Sequence, residues 1–245
     1  RQTIGPAERL CKQGMMAVKV KICGLKNEAA LEAALDAGAD YVGFVFYLPS
    51  PRSLSPQEAG RLAKLARGRA RVVALVVDPD DALLDEVVRV VEPDLLQLHG
   101  KEEPERVAEI KAKYGLPVMK AISVETRADA DRALDYQGVS DLFLFDAKPP
   151  RGMSGALPGG NGISFDWRAL EGIKGRLRLL LSGGLNPRNV AEAIRLTSPE
   201  GVDVSSGVEV RPGEKDPELI REFLKAAKGA TEDTGVSTRM EMRSA

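Results

Sequence analysis

The chain has 245 residues, with 35 Lys and Arg against 36 Asp and Glu, a formal net charge of −1. That balance excludes a non-specific nucleic-acid binder, which carries a basic excess. A hydrophobic share of 43% with 29% charged residues excludes wholesale disorder. Two cysteines, Cys11 and Cys23, and a single histidine, His99, exclude a disulfide scaffold and a multi-histidine zinc site. The composition predicts a reduced, cytoplasmic protein without a structural metal.

Residues 1–15 read as an N-terminal extension ahead of a start at Met15 or Met16. They hold Arg1, Glu8, Arg9 and Lys12 but no apolar core, so they are not a secretory signal. No apolar run reaches the roughly 18 residues of a membrane helix. From Val18 onward, short β-branched runs alternate with amphipathic stretches. The predicted strands are Val18–Cys23, Tyr41–Phe46, Arg71–Val77, Leu95–His99, Pro117–Ala121, Leu142–Asp146, Leu177–Ser182 and Gly201–Val204. A helix is expected over Asn27–Ala37, with Ala30, Ala33, Ala34 and Ala37 on one stripe. Others follow Pro56, Pro79, Pro104 and Pro187, because proline near a helix start gives up only an N–H that would be orphaned there. Ser55 and Asn186 are the expected N-caps beside Pro56 and Pro187.

Strand and helix repeated in this way predict parallel pairing, since each crossover is long enough to hold a helix. Eight units favour a closed (βα)8 TIM barrel of eight parallel strands over residues 16–229, a fold that takes about 250 residues. The alternative is an open Rossmann-like sheet. Against it, the first strand runs into Cys23-Gly24-Leu25, with no GxGxxG motif opening the helix. The Gly- and Pro-rich stretch 148–162 reads as a long loop, and loops of that length are often functional. The tail 230–245 is polar and patternless, and is expected to be disordered.

Barrel active sites lie at the C-terminal rim. There the strands lead to Cys23, Arg52, His99, Asp146, Ser182-Gly183-Gly184 and Ser205-Ser206-Gly207. The two glycine turns suit an anion such as phosphate, or are ordinary tight turns. Gly159-Gly160-Asn161-Gly162 adds a third set of candidate donors. A thiol and a carboxyl of different acidity at one rim can divide two proton transfers. Lys21 shares a strand face with Cys23 and would favour its thiolate. The apolar run Leu142-Phe143-Leu144-Phe145 could keep Asp146 protonated. Equally, Cys23 is a small buried residue or Asp146 a helix cap. Arg52, in the stiff Pro49-Ser50-Pro51-Arg52-Ser53 loop, is either a carboxylate clamp or a solvated surface arginine. His99 titrates near neutrality or simply hydrogen-bonds at the rim.

In order along the chain stand Val20-Lys21-Ile22-Cys23-Gly24, Gly43-Phe44-Val45-Phe46-Tyr47, Ser50-Pro51-Arg52-Ser53-Leu54-Ser55-Pro56, Leu96-Gln97-Leu98-His99-Gly100, Leu144-Phe145-Asp146-Ala147-Lys148, Leu181-Ser182-Gly183-Gly184-Leu185-Asn186-Pro187 and Val202-Asp203-Val204-Ser205-Ser206-Gly207-Val208-Glu209. This ordered set resembles the phosphoribosylanthranilate isomerase family of tryptophan biosynthesis. The chain departs from the family pattern in its extension, its tail and a Gly/Pro-rich insertion around Met153–Asn161.

The resemblance implies a TIM-barrel enzyme that carries out an Amadori rearrangement of a phosphorylated aminosugar. It would need no cofactor, metal, nucleic acid or membrane, and would be a monomer or homodimer. It implies Asp146 as general acid and Cys23 as general base. Arg52 and His99 would bind substrate, with Arg52 on the anthranilate carboxylate, and Gly160, Gly162, Gly183, Gly184, Ser205, Ser206 and Gly207 would form the phosphate grip. Two alternatives share the phosphate turns. One is a related aminoaldose isomerase of histidine biosynthesis, which generally uses two aspartates. The other is a non-catalytic phosphate-binding barrel.

Overall fold

The computed structural model describes residues 17–150, 152 and 157–241, with side chains described to residue 230. The extension 1–15, Cys11 and residues 153–156 of the insertion lie outside the described residues.

Eight parallel strands close into a barrel in sequence order. They are β1 (Lys19–Cys23), β2 (Tyr41–Phe46), β3 (Arg71–Val76), β4 (Leu95–Leu98), β5 (Val118–Val124), β6 (Leu142–Ala147), β7 (Leu179–Leu181) and β8 (Gly201–Val204). The helices are α1 (Glu28–Asp36), α2 (Pro56–Ala66), α3 (Asp81–Val91), α4 (Pro104–Tyr114), α5 (Arg127–Asp131), α6 (Val190–Thr197) and α7 (Pro217–Glu241). The predicted (βα)8 barrel is therefore the observed fold, and β8 pairing with β1 closes the ring that an open sheet would leave unpaired. Among the described residues, no helix is long and apolar enough to cross a membrane.

Alternation along each strand decides what faces inward. Val20 and Ile22, Val42 and Phe44, and Phe143 and Phe145 belong to the layer between strands and helices. Tyr41, Val73, Leu95, Met119, Leu142, Leu144 and Leu180 fill the barrel interior. One step higher along the same inward rows come Cys23, Val45 and Leu75, which form the floor of a cavity.

Helix starts follow their capping chemistry. Ser55 and Glu58 form a reciprocal capping box with Pro56 in the first turn of α2. In α3 the cap is Asp80, whose side chain accepts from Leu83 N–H, one residue after the expected Pro79. Asn186 does not cap α6. Its side chain accepts from Arg188 N–H within a turn, and the helix begins only at Val190.

Three further differences matter. The crossover from β6 to β7 has no α-helix among the described residues, only a 3-10 turn at Trp167–Leu170, because the Gly/Pro-rich loop takes up that length. After β8 a small antiparallel hairpin, β9 (Glu209–Arg211) and β10 (Glu214–Lys215), precedes the last helix. Residue 230, where the expected disordered tail begins, still lies within α7, whose apolar stripe of Ile220, Phe223, Leu224, Ala227 and Ala230 is buried.

Candidate active site

A cavity opens at the C-terminal rim. Seven of the eight strands lead side chains to it: Cys23 from β1, Val45 from β2, Leu75 from β3, Gln97 from β4 with His99 just after it, Asp146 from β6, Ser182 after β7, and Asp203 from β8 with Ser205 just after it. Arg52, Gly160, Gly162, Gly183, Gly184 and Ser206 complete the wall. The predicted site residues therefore converge, with one exception. Gly207 does not line the cavity. A Cβ there would come within 1.8 Å of Leu185 O, so this glycine lets the β8 turn pack against the β7 turn.

Cys23 is buried, and its neighbourhood is fixed by register. Lys21 pairs with Asp203 across β1 and β8, and the Lys21 Nζ lies 2.8 Å from Asp203 Oδ1. Asp203 Oδ2 accepts from Ser182 Oγ at 3.1 Å. Cys23 stands opposite Gly43, and the position of a Gly43 Cβ lies 3.1 Å from Cys23 Sγ and 3.2 Å from Lys21 Nζ. Any side chain at Gly43 would thus intrude between thiol and ammonium. Burial opposes the Lys21 charge, yet Asp203 and Cys23 outweigh it and push the ammonium up to about 12.

Lys21 acts on Cys23 in the expected direction, toward the thiolate, but it is not the largest influence there. Burial pushes the thiol up, and the pull of Lys21 in the other direction only partly offsets it, with Asp203 adding to the rise. The resting group is a thiol whose ionisation Lys21 supports but does not complete. Replacing Lys21 by Met should therefore raise the Cys23 pKa further. Iodoacetamide alkylation of Cys23 at pH 8, followed peptide by peptide in a mass spectrometer so that Cys11 is counted separately, should slow by about tenfold or more, since each pKa unit removes nine-tenths of the thiolate. An unchanged rate would show that the ammonium does not act on the sulfur.

Asp146 also differs from expectation in its surroundings. It shares the inward row of Leu142 and Leu144, but those fill the interior below it, while Phe143 and Phe145 point to the helices. Its own neighbours are polar. Oδ1 accepts from Ala147 N–H at 2.9 Å, and Oδ2 lies 3.5 Å from His99 Nε2. His99 Nδ1 is 2.9 Å from Gln97 Nε2. With that amide donating, the imidazole proton sits on Nε2 and faces Asp146, an assignment that follows from the amide orientation.

Arg52 is buried, not a solvated surface arginine, and part of its fork is taken. Its Nε and Nη2 bind the two oxygens of Glu209 at 2.8 and 2.9 Å, and Nη2 also reaches Gly160 O at 3.2 Å. Among the glycines, Gly160, Gly162, Gly183 and Gly184 all have positive φ, which brings bare main chain to the cavity wall. A Cβ on Gly183 would press on Ala147 N at 2.7 Å, and one on Gly184 on Ser164 N at 2.6 Å.

Gln97, Ser182, Asp203, Glu209 and Lys215 had no role in the sequence reading. For Asp203 and Gln97 the signal was available: each stands two residues before a rim residue, Ser205 and His99, on the same strand face. Glu209 and Lys215 depend on the hairpin, which left no such trace.

The family model for N-(5'phosphoribosyl)anthranilate (PRA) isomerase matches residues 20–226. An N-(5'-phosphoribosyl)anthranilate isomerase from Mesorhizobium japonicum is 56% identical over 218 residues, covering 89% of this chain and 99% of the relative. One from Parvibaculum lavamentivorans is 55% identical over 215 residues, covering 88% and 100%. Among solved structures, phosphoribosyl anthranilate isomerase from Thermotoga maritima superimposes with a TM-score of 0.78 at 39% identity, covering 86% of this chain and 99% of that one. A phosphoribosyl anthranilate isomerase complexed with reduced 1-(o-carboxyphenylamino)-1-deoxyribulose 5-phosphate gives 0.75 at 38%, with the same coverage.

Proposed function

The chain belongs to the N-(5'-phosphoribosyl)anthranilate isomerase family, and we propose that Cys23 and Asp146 divide the two proton transfers of its reaction. The enzyme isomerises N-(5-phosphoribosyl)anthranilate to 1-(2-carboxyphenylamino)-1-deoxyribulose 5-phosphate, a step of tryptophan biosynthesis. The observation that carries the assignment is that one cavity is lined by a thiol from β1 and a carboxyl from β6.

Asp146, as acid, gives a proton to the furanose ring oxygen. The C1–O bond breaks and the nitrogen lone pair forms the Schiff base. Cys23 Sγ then removes the proton from C2, and those electrons form the C1–C2 double bond of an enolamine while the Schiff-base electrons return to nitrogen. Tautomerisation adds a proton at C1 and leaves the C2 ketone. Lys21 stabilises the thiolate through which Cys23 acts, and His99, held by Gln97, faces the carboxyl of Asp146. Arg52 takes the anthranilate carboxylate through the edge of its guanidinium that Glu209 leaves open. Val45, Tyr47, Leu75, Val77 and Leu157 offer the aromatic ring an apolar wall. Gly160, Gly162, Gly183, Gly184, Ser205 and Ser206 form the phosphate grip. Lys21 apart, the groups of this scheme line the cavity.

Turnover in D2O tests the scheme. The fluorescence of the anthranilate should fall as substrate is consumed, and the product should carry one deuterium at C1. Binding without consumption would reduce the chain to a phosphate-ligand barrel. We further propose a cytoplasmic location, because the base is a free thiol, and a monomer or homodimer. The Thermotoga maritima relative is described as dimeric, with monomers generated from it.

A further inference from the structure

A line of buried charge runs behind the cavity wall, outside the reacting groups. The side chains of Arg52 and Glu209 are 6% and 3% exposed, and that of Lys215 is 1% exposed. Glu209 Oε1 accepts from Arg52 Nε at 2.8 Å and from Lys215 Nζ at 2.6 Å. Its Oε2 accepts from Arg52 Nη2 at 2.9 Å and from Gly213 N–H at 3.3 Å. Lys215 Nζ spends its other protons on Ser205 O at 3.0 Å and Ser205 Oγ at 3.2 Å. Ser205 Oγ in turn donates to Cys23 O at 3.2 Å.

Two physical consequences follow. The bidentate contact fixes the plane of the guanidinium, because both Nε and Nη2 are tied to one carboxylate. Arg52 and Glu209 alone sum to zero charge and offer an anion little; burial pulls the Lys215 ammonium below its ordinary value while the Glu209 carboxylate opposes that fall, and in its protonated form Lys215 gives the buried cluster a net charge of one positive unit. Burial raises the Glu209 carboxyl, yet Arg52 and Lys215 hold it below its usual range. The hairpin β9–β10 brings Lys215 back onto the carboxylate of Glu209, six residues earlier, so that Arg52 and Lys215 share Oε1.

We infer that Glu209 and Lys215 are positioning residues for the substrate carboxylate: Glu209 orients Arg52, and Lys215 neutralises Glu209 so that Arg52 presents an uncompensated positive charge to the cavity. The inference rests on the reading of Arg52 as the carboxylate clamp, and it adds the two residues that would make that clamp work.

The test compares competitive inhibition by anthranilate, which carries the carboxylate and no phosphate, with inhibition by ribose 5-phosphate, which carries the reverse. Glu209→Asp keeps the charge but withdraws the carboxylate from the fork, and Lys215→Met keeps the stem but removes the ammonium. Each should weaken anthranilate by about tenfold or more, the loss expected for one charge-assisted contact. Ribose 5-phosphate should change by less than about threefold, and the loss with substrate should fall on KM more than on kcat. Lys215→Arg should recover most of the anthranilate affinity, which a merely structural role would not predict, and melting curves confirm that each variant is folded. Equal weakening of both ligands, or anthranilate affinity unchanged in both variants, would overturn the inference. Arg52→Ala in the same assay separates the two levels. If it abolishes the anthranilate effect while Glu209→Asp and Lys215→Met do nothing, the inference alone fails. If Arg52→Ala is itself without effect, the clamp reading falls and takes the inference with it.

Discussion

Replacing Cys23 by alanine should lower kcat by about a thousandfold, in the middle of the range that a positioned general base contributes. The side chain is small and lies at the cavity floor, so its loss removes the sulfur while disturbing little packing. Cys23→Ser is the sharper comparison. It keeps a polar group of similar size, but a hydroxyl surrenders its proton far less readily than a thiol, so serine should rescue little. Because burial pushes the thiol up, the base is scarce at neutral pH, and the reacting form becomes commoner as pH rises. The wild-type kcat/KM should therefore climb on the alkaline side of neutrality, and the climb should disappear in Cys23→Ala. A variant retaining more than about one-tenth of wild-type kcat would remove sulfur from the mechanism.

Asp146→Asn should cost a comparable factor, about a thousandfold in kcat. The asparagine oxygen can still accept from Ala147 N–H, and the side chain is nearly isosteric, so the local turn after β6 is kept. What it lacks is an acidic proton for the ring oxygen. Binding of ribose 5-phosphate should stay within about threefold of wild type, which separates a chemical defect from a collapsed pocket. Near-normal turnover would mean that the ring opens without help from this carboxyl.

How far these assignments were legible differs from residue to residue. The strand positions were readable because β-branched runs stand out against helical spacing, and β2 and β8 fall on the expected residues. Parity then carried Cys23, His99, Asp146 and Ser205 to one cavity, because a period of two leaves only one face for each. Arg52 was harder. Its partner Glu209 lies 157 residues away, and no local pattern announces a contact made by barrel closure and a late hairpin. At Cys23 the helping neighbour Lys21 was visible in the sequence, while the opposing burial was not. At Gly207 the backbone packing against Leu185 O was not legible, because a glycine needed for close packing looks, in sequence, like one that faces a ligand. The β6–β7 crossover, which has no α-helix among the described residues, belongs to the same class, since a stretch rich in Gly and Pro shows its length but not its shape.

The crossover from β6 to β7, with no α-helix among the described residues, gives the cylinder a seam. Strand β7 has only three residues, aligned with β6 at three positions and with β8 at two, whereas β2 and β3 align at six. Fewer rungs, and an outer side covered by one 3-10 turn instead of a full helix, make this the stretch where partial opening demands the least free energy. The staves flanking it carry Asp146 on one side and Asp203 with Ser205 on the other. Breathing of the wall would thus be concentrated beside the groups that must let a phosphorylated product go, while the long β2–β3 seam stays fastened.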